Sequence, residues 1–263
     1  MLSALRLDCV AETARIVAFI RHQMDGAGLR RAVIGLSGGI DSALVAALCA
    51  QALGPDQVRA VLLPYRTSNP DSEAHGRLVA DALGLEVQRF DISAMVDAIV
   101  AQQPAMSGGR KGNVMSRCRM IYLYDQSAAC GGLVVGTSNR TETLLGYFTL
   151  YGDGAAALKP IAHLFKCQIR QLSAHLGLPD VVVNKAPSAD LWAGQTDEGE
   201  LGFSYDDADQ VLYLLTEEQQ AIEQVAAQGW DADTVRAIEG RMRRNAFKLR
   251  PAAELSLCRG GCV

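Results

Sequence analysis

The chain has 263 residues, of which 49% are hydrophobic and 21% are charged, and its formal net charge is −4. The length allows a large α/β domain with a substantial core, and the charge disfavours a protein that holds nucleic acid by bulk electrostatics. The longest uncharged stretches, such as residues 42–55, contain Gly or Pro and are shorter than the roughly 20 apolar residues of a membrane span. The first ten residues lack the apolar core of a signal peptide, so we expect a cytoplasmic protein.

The first half of the chain alternates helical patterns with short apolar runs. An amphipathic helix is predicted at 9–24, strands at 32–36, 58–63, 85–90 and 133–136, and helices between the strands at 40–53, 72–83 and 114–129. Gly54, Gly84 and Gly131 stand where a helix end favours a residue that tolerates positive φ. This alternation predicts a doubly wound, Rossmann-like parallel sheet with right-handed crossovers.

The second half is predicted to be mostly helical. Residues 164–176 are amphipathic, residues 184–205 have no periodicity and are predicted to form a loop, and helices return over 206–248. A loop of that length in a compact domain is more often functional than idle. No Pro/Gly/Ser-rich linker divides the chain, so we expect one domain, with a core over about 30–180 and a substrate loop and C-terminal helices over about 184–250.

The strongest local pattern is AVIGLSGGIDSALVAAL at residues 32–48, in which a strand runs into two glycines and a helix begins near Asp41. The glycines allow a turn whose backbone N–H groups point into one concavity, and the helix N-terminus adds partial positive charge. Two serine hydroxyls add further donors. The segment therefore predicts a phosphate or pyrophosphate site built from Gly35, Leu36, Ser37, Gly38, Gly39, Ile40, Asp41 and Ser42.

Asp41 distinguishes this loop from two better-known phosphate loops. The Walker loop needs Gly-Lys-Ser/Thr and the dinucleotide fingerprint needs GxGxxG, and neither is present here. A carboxylate beside a pyrophosphate is repulsive unless a Mg²⁺ ion takes oxygens from both. The alternative is that Asp41 only stabilises the first helical turn. SGGxDS after a strand, however, closely resembles the pyrophosphate loop of the ATP pyrophosphatase superfamily, whose fold is described as adenine nucleotide alpha-hydrolase-like.

Four later segments of the sequence narrow the resemblance to one family within this superfamily. They comprise the N-x-x-x-R-x-R-M pattern that starts at Asn113, GTSNRTETLLGYFTLYGDG at 136–154, LKPIAHLFKCQIR at 158–170, and KAPSADLWAGQTDEGELGFSYDDAD at 185–209. In this order they resemble the NAD synthetase family, whose loop K-x-P-[ST]-A-D-L is followed by Q-[ST]-D-E. The blocks span most of the middle of the chain, and their shared order is far more specific than any one of them.

The resemblance assigns roles to individual residues. It implies that Asp41 and Glu142 hold Mg²⁺, that Thr137, Lys166 and Ser188 contact ATP together with the glycine loop, and that Arg117 and Lys248 hold deamido-NAD. Asp41, Glu142 and Lys166 are then the catalytic set. The simpler alternatives are a solvated helix-start acid for Glu142, a surface lysine for Lys166 and a helix-surface salt bridge for Arg117.

The resemblance also implies the reaction. The nicotinate carboxylate of deamido-NAD attacks the α-phosphorus of ATP, pyrophosphate leaves, and ammonia opens the acyl-adenylate to give NAD and AMP. Asp153 and Asp190 are candidates for a base that deprotonates ammonium. Because the chain leaves no room for an amidase domain, we expect it to use free ammonia or ammonia from a separate glutaminase. The family also implies a homodimer.

Some features depart from the family or favour other functions. Leu150 and Ala157 stand where some members have Lys and Asp. The resemblance therefore does not extend to the substrate contacts made at these two positions, although it still covers the ATP site. A tRNA thiolase is one alternative, disfavoured by the charge and the cysteine spacing, and a nucleotide-binding sensor without turnover is another. Cys258 and Cys262 form a CxxxC without a second pair or a nearby His to complete a zinc set.

Overall fold

A computed structural model describes residues 2–188 and 195–254 of the chain. The strands are β1 (Arg31–Gly35), β2 (Val58–Leu62), β3 (Val87–Arg89) and β4 (Gly132–Val134). The α-helices are α1 (Cys9–Ala27), α2 (Ile40–Leu53), α3 (Pro70–Leu83), α4 (Ser93–Val100), α5 (Gly108–Cys130), α6 (Arg140–Leu145), α7 (Lys166–His175), α8 (Asp180–Val183), α9 (Asp197–Leu201), α10 (Tyr205–Thr216), α11 (Ile222–Ala227) and α12 (Ala232–Asn245).

The four strands form one parallel sheet in the order β3-β2-β1-β4. Alternate residues of β1 face opposite sides, so Ala32 and Ile34 pack in one core and Val33 in another. Helices α1, α2, α3 and α7 contribute to the first core, and α4 and α5 to the second. The predicted doubly wound α/β fold is confirmed.

The order of the strands positions the site. The chain moves from β1 to β2 on one side, and β4 later pairs with the other edge of β1. Ligands in open parallel sheets bind at the carboxyl ends of the strands, at the point where the strand order reverses. That point lies between the loop after β1 and the loop after β4. These two loops lead into α2 and α6, whose first turns carry Asp41 and Glu142.

A third core joins the C-terminal helices to the rest of the protein. It packs Leu145 of α6 and Phe165 beside α7 against apolar residues of α10, α11 and α12. Tyr205 at the start of α10 is fully buried in it. The C-terminal layer is therefore in contact with the helices that carry Glu142 and Lys166.

Four sequence predictions of local structure need correction. Helix α4 was not expected, the aperiodic segment 184–205 contains α9, and the helical stretch 206–248 is broken into α10, α11, α12 and a short 3-10 helix. Helix α7 also begins at Lys166 rather than at 164, because Leu164 closes a turn from Ile161 and Phe165 is extended. Asp190, Cys258 and Cys262 lie outside the described residues, as do the rest of 189–194 and 255–263. Among the described helices, no segment has the length and apolarity to cross a membrane.

Gly38 is held against the backbone of α3. Its φ is +73°, and a Cβ atom there would lie 2.1 Å from the carbonyl oxygen of Ser72. The left-handed conformation costs a residue with a Cβ roughly 1–2 kcal/mol, and the clash adds to that cost. The loop after β1 can therefore adopt this path only with glycine at position 38.

We predict that Gly38→Ala lowers the free energy of unfolding by about 3 kcal/mol or more, through strain and overpacking together. Chemical denaturation measures the loss. Gly28→Ala is the matched control, because Gly28 has φ +67° but nothing lies within 4 Å of its would-be Cβ. Equal losses in the two variants would show that Ser72 does not constrain the loop.

Candidate functional site

The loop between β1 and α2 forms one wall of a cavity of about 1180 Å³. Its two serines bond to each other, with Ser37 Oγ and Ser42 Oγ 3.0 Å apart, and Ser42 Oγ also donates to the carbonyl oxygen of Gly39 at 2.9 Å. Helix α2 begins at Ile40, so its N-terminal N–H groups and partial positive charge lie at this wall. The arrangement suits an anionic ligand.

One buried ammonium group joins three segments at the cavity wall. Lys166 Nζ donates to Asp41 Oδ2 at 2.6 Å and to Glu142 Oε1 at 3.1 Å. The lysine side chain is only 3% exposed, whereas the two carboxylates are 16% and 18% exposed. The alternatives of a surface lysine and a solvated helix-start acid do not describe these positions. The structure brings all three predicted catalytic residues together.

Burial and charge act in opposite directions on these groups. Burial raises the pKa of Glu142 to about 7, although the Lys166 ammonium opposes the rise. Burial lowers the pKa of Lys166, but the charges of Asp41 and Glu142 outweigh it and hold that pKa above its ordinary value. The lysine therefore stays charged at neutral pH and neutralises a site that would otherwise carry closely spaced acids.

Asn139 connects the two carboxylates, a role that the sequence reasoning missed. Its side-chain oxygen accepts the backbone N–H of Glu142 at 2.9 Å and caps α6, and its amide donates to Asp41 Oδ1 at 2.8 Å. The residue is fully buried. The spacing Asn-x-x-Glu of a capping box could have identified the cap, but no pattern in the sequence indicates the contact with Asp41.

A third acid near the lysine, Asp197 at the start of α9, is another residue that the sequence reasoning missed. It is 4% exposed and accepts hydrogen bonds from Tyr205 Oη at 3.0 Å and from Tyr147 Oη at 3.2 Å. Burial raises its pKa, against the opposing charge of Lys166. Lys166 Nζ in turn lies 5.1 Å from the centre of the Tyr205 ring. Asp197 belongs to the Q-[ST]-D-E motif, so the motif marked it without indicating its position.

The structure places most of the other predicted ligand residues around the same cavity. Its lining includes Gly35, Leu36, Ser37, Gly39, Ile40, Asp41, Ser42, Thr137, Ser188 and Lys248. Lys248 donates to the carbonyl oxygens of Gly146 and Phe148 at 2.7 and 3.0 Å. Gly38 supports the loop from behind, against α3.

Arg117 lies apart from these residues. It is exposed on α5, is not part of the cavity lining, and donates to the carbonyl oxygen of Leu150 at 3.2 Å. The same turn contains Asp153, whose Oδ1 accepts from Ser116 Oγ at 2.6 Å and from the backbone of Thr149 at 2.9 Å. This carboxylate oxygen therefore stabilises the turn.

Ala157 lines a separate small cavity against α1.

Asp41 and Glu142 also fit a divalent metal ion. Mg²⁺ in nucleotide sites is held by one or two protein carboxylates and completes its shell with phosphates and water. Here two partly exposed carboxylates face the cavity and share one cation, Lys166. Within the described residues no cluster of three or more His, Cys, Asp or Glu suits a metal held by protein ligands alone. Two carboxylates are a donor set that would fit a metal ion also bound by a phosphate ligand.

A glycine-rich anion loop at the carboxyl edge of a doubly wound sheet is typical of nucleotide-binding α/β proteins. The fold and the site together define that class. A family model described as NAD synthase matches residues 12–252, and the chain belongs to the NAD synthase family.

Individual relatives agree with this membership. The NH(3)-dependent NAD(+) synthetase of Trichlorobacter lovleyi is 49% identical over 95% of this chain and 91% of its own length. Among solved structures, the NH3-dependent NAD synthetase of Campylobacter jejuni has a TM-score of 0.82 and 33% identity, with 95% of this chain and all of that one covered. The NMN synthetase of Francisella tularensis has a TM-score of 0.86 and 30% identity, with 96% and 100% covered.

We predict that Lys166→Met lowers the free energy of unfolding by roughly 3–5 kcal/mol at pH 8, since it leaves two mostly buried carboxylates without their cation. Lys166 lowers the pKa of Glu142, so in the variant that pKa lies above the wild-type value of about 7. The loss should therefore shrink as the pH falls from 8 to 6 and Glu142 takes up a proton in the folded state. Denaturant titration at pH 8 and pH 6 measures both effects.

The double variant Lys166→Met/Glu142→Gln is the control, because it removes one of the opposed charges. It should regain part of the lost stability. A Lys166→Met protein as stable as wild type at pH 8, or a double variant with no gain, would contradict the electrostatic role of Lys166.

Proposed function

We propose that this chain is a ligase that amidates deamido-NAD to NAD with ATP and ammonia, through an acyl-adenylate. The observation that carries the proposal is the meeting of Lys166, Asp41 and Glu142 beneath the loop at 37–42. The 49% identity with an NH(3)-dependent NAD(+) synthetase over nearly the whole chain supports the choice of reaction.

The triphosphate of ATP fits the loop wall of the cavity. The N-terminus of α2 and the hydroxyls of Ser37 and Ser42 would hold the departing pyrophosphate, and Thr137 and Ser188 line the adjacent wall. The serines bond to each other in the structure described here and have hydroxyl protons to offer once they turn toward an anion. The chain thus positions the α-phosphorus and stabilises the leaving charge, which is most of what such a transfer requires.

Lys166 would exchange partners during the reaction. In the structure its ammonium neutralises Asp41 and Glu142. Asp41 and Glu142 would hold Mg²⁺, which would supply positive charge at the phosphate oxygens of bound ATP. The ammonium of Lys166, which borders the same cavity, would turn from these carboxylates to the triphosphate and act there as a point charge.

The dinucleotide end of the site is less enclosed. Lys248 borders the cavity, whereas Arg117 is exposed outside it. An exposed substrate arginine suits a site completed by a second copy of the chain, and we propose a homodimer for this reason. We propose free ammonia as the nitrogen source. A separate glutaminase that delivers it is the alternative.

A second candidate is the same amidation on the mononucleotide. It is favoured by the similarity in shape to the NMN synthetase of Francisella tularensis, at a TM-score of 0.86. The identity of 30% with that protein is well below the 49% shared with the NAD synthetase relative. Both reactions would use the same adenylation site and would differ only in the dinucleotide region.

The test is an assay of the purified chain with ATP, Mg²⁺ and ammonium, with either deamido-NAD or nicotinate mononucleotide as the second substrate. We expect NAD and pyrophosphate in equal amounts, and a higher kcat/KM with deamido-NAD. A higher kcat/KM with the mononucleotide would establish the second candidate. Absence of pyrophosphate under all conditions would favour a binding protein without turnover.

Asp41→Asn should reduce kcat by more than about 100-fold, the scale expected when charge stabilisation of a transition state is lost. It should also raise the Mg²⁺ concentration needed for half-maximal rate. Asp71→Asn is the matched control, because Asp71 is likewise a first-turn helix acid but is exposed and outside the cavity lining. If both variants keep near-wild-type activity, Asp41 is only a helix-start acid.

Arg117→Ala should raise KM for deamido-NAD by about tenfold or more, the loss expected for a charged hydrogen bond, with KM for ATP changed far less. Arg110→Ala, at another exposed arginine of α5, is the control. Steady-state kinetics with each substrate varied in turn gives both constants. Equal effects on the two substrates would remove Arg117 from the dinucleotide site.

A further inference from the structure

Helix α7 begins at Lys166, and its own residues cap only the N–H of Phe165, which donates to Gln168 Oε1 at 3.0 Å. Lys166 is its first residue, and the preceding Phe165 makes no side-chain capping bond. The first N–H groups of a helix have no partner within it, and leaving them unpaired in a buried place costs free energy. The backbone of Lys166 and Cys167 therefore needs acceptors from elsewhere in the protein.

Those acceptors come from two other helices. Lys166 N donates to Thr141 Oγ1 of α6 at 3.0 Å, and Thr141 Oγ1 donates onward to Asp209 Oδ1 of α10 at 2.5 Å. Cys167 N donates to Asp209 Oδ2 at 2.6 Å. Asp209 and Thr141 are both completely buried. One carboxylate of α10 thus closes the start of α7 and fixes the residue next to Glu142.

Helix α10 also contacts the other end of the lysine. Tyr205 and Asp209 are four residues apart and lie on one face of the helix. The Tyr205 ring lies 5.1 Å from the Lys166 ammonium, while Asp209 receives the backbone at the base of the same side chain. Helix α10 therefore holds Lys166 at both ends, although Asp209 itself does not reach the cavity lining.

We propose that Asp209 is a positioning residue of the reaction. It acts through Thr141 and the start of α7 to hold Lys166 and Glu142 at fixed positions relative to each other. Both oxygens of its side chain accept hydrogen bonds, so an amide of the same shape cannot replace it. An Asn would direct an NH2 group at either Cys167 N–H or Thr141 Oγ1, and one buried donor would lose its acceptor. The kinetic part of this inference rests on the proposed function.

The test compares Asp209→Asn, Thr141→Val and Thr141→Ser with Asp206→Asn. Asp206 is the matched control on α10, since its side chain is 72% exposed and pairs only with Arg170 in the ion pairs described. We expect Asp209→Asn and Thr141→Val to lower kcat by about tenfold or more, the scale of a small misplacement of catalytic groups. KM for deamido-NAD should stay within about threefold in both.

Thr141→Ser should retain most of kcat, because it keeps the hydroxyl that relays between Lys166 and Asp209. The double variant Asp209→Asn/Thr141→Val should be no slower than the slower single variant, since both break the same chain of hydrogen bonds. Losses that multiply, a Thr141→Ser variant as slow as Thr141→Val, or a folded Asp209→Asn with wild-type kcat would each overturn the proposal. If Asp209→Asn does not fold, the two Thr141 variants decide the question.

Hydrogen exchange gives a readout that does not depend on turnover. The amides of Lys166 and Cys167 should exchange at least about tenfold faster in Asp209→Asn and at the wild-type rate in Asp206→Asn. Unchanged exchange in Asp209→Asn would refute the role of Asp209 whether or not the wild-type chain makes NAD. If these amides exchange faster in Asp209→Asn but the wild-type chain makes no NAD, the structural role of Asp209 is supported and only the proposed function is rejected.

Discussion

The ammonium group of Lys166 is the point on which the site depends. It pairs with Asp41 from the first turn of α2 and with Glu142 from α6, and so ties three segments that are distant in sequence. A buried lysine is costly unless its charge is compensated, and two carboxylates without a cation at this distance would repel each other. Each partner therefore makes the position of the others energetically acceptable.

This arrangement explains why the polar network around the lysine is so fully connected. Asn139 restrains Asp41 and caps α6, while Thr141 and Asp209 supply the acceptors for the start of α7. A buried network is stable only when its members are satisfied, since each lost acceptor leaves a desolvated donor.

The two ends of the cavity differ in construction. The anion loop is fixed by backbone constraints, with Gly38 pressed against α3 and α2 beginning directly beyond it. The other end, where we propose that the dinucleotide binds, has the long side chain of Lys248 at its border, and Arg117 lies outside it. Adenylation chemistry needs a fixed geometry, whereas substrate choice can change with a few exposed residues.

The sequence by itself determined the parts of this protein that local physics controls. The loop at 37–42, α2 and the parallel sheet follow from glycine freedom, helix signals and alternating apolar runs, all of which act over a few residues. Resemblance of the later blocks assigned Glu142 to the same metal site as Asp41 and assigned Lys166 to the triphosphate, but it did not indicate the ion pair between Lys166 and Asp41. The presence of α4 and α9 and the breaks among the C-terminal helices were missed, because tertiary packing outweighs weak local propensity there.

Only the tertiary structure decided how the acids and the lysine are arranged. Asn139, Asp197 and Asp209 are each ordinary polar residues in a helical or turn context, and their roles arise from contacts across 42 to 98 positions of sequence or from burial against another helix. A sequence pattern records spacing along one element, whereas these hydrogen bonds join elements. Because these groups are buried, losing any one of the hydrogen bonds would cost free energy. Burial also places Lys166 between its two carboxylates rather than at the surface.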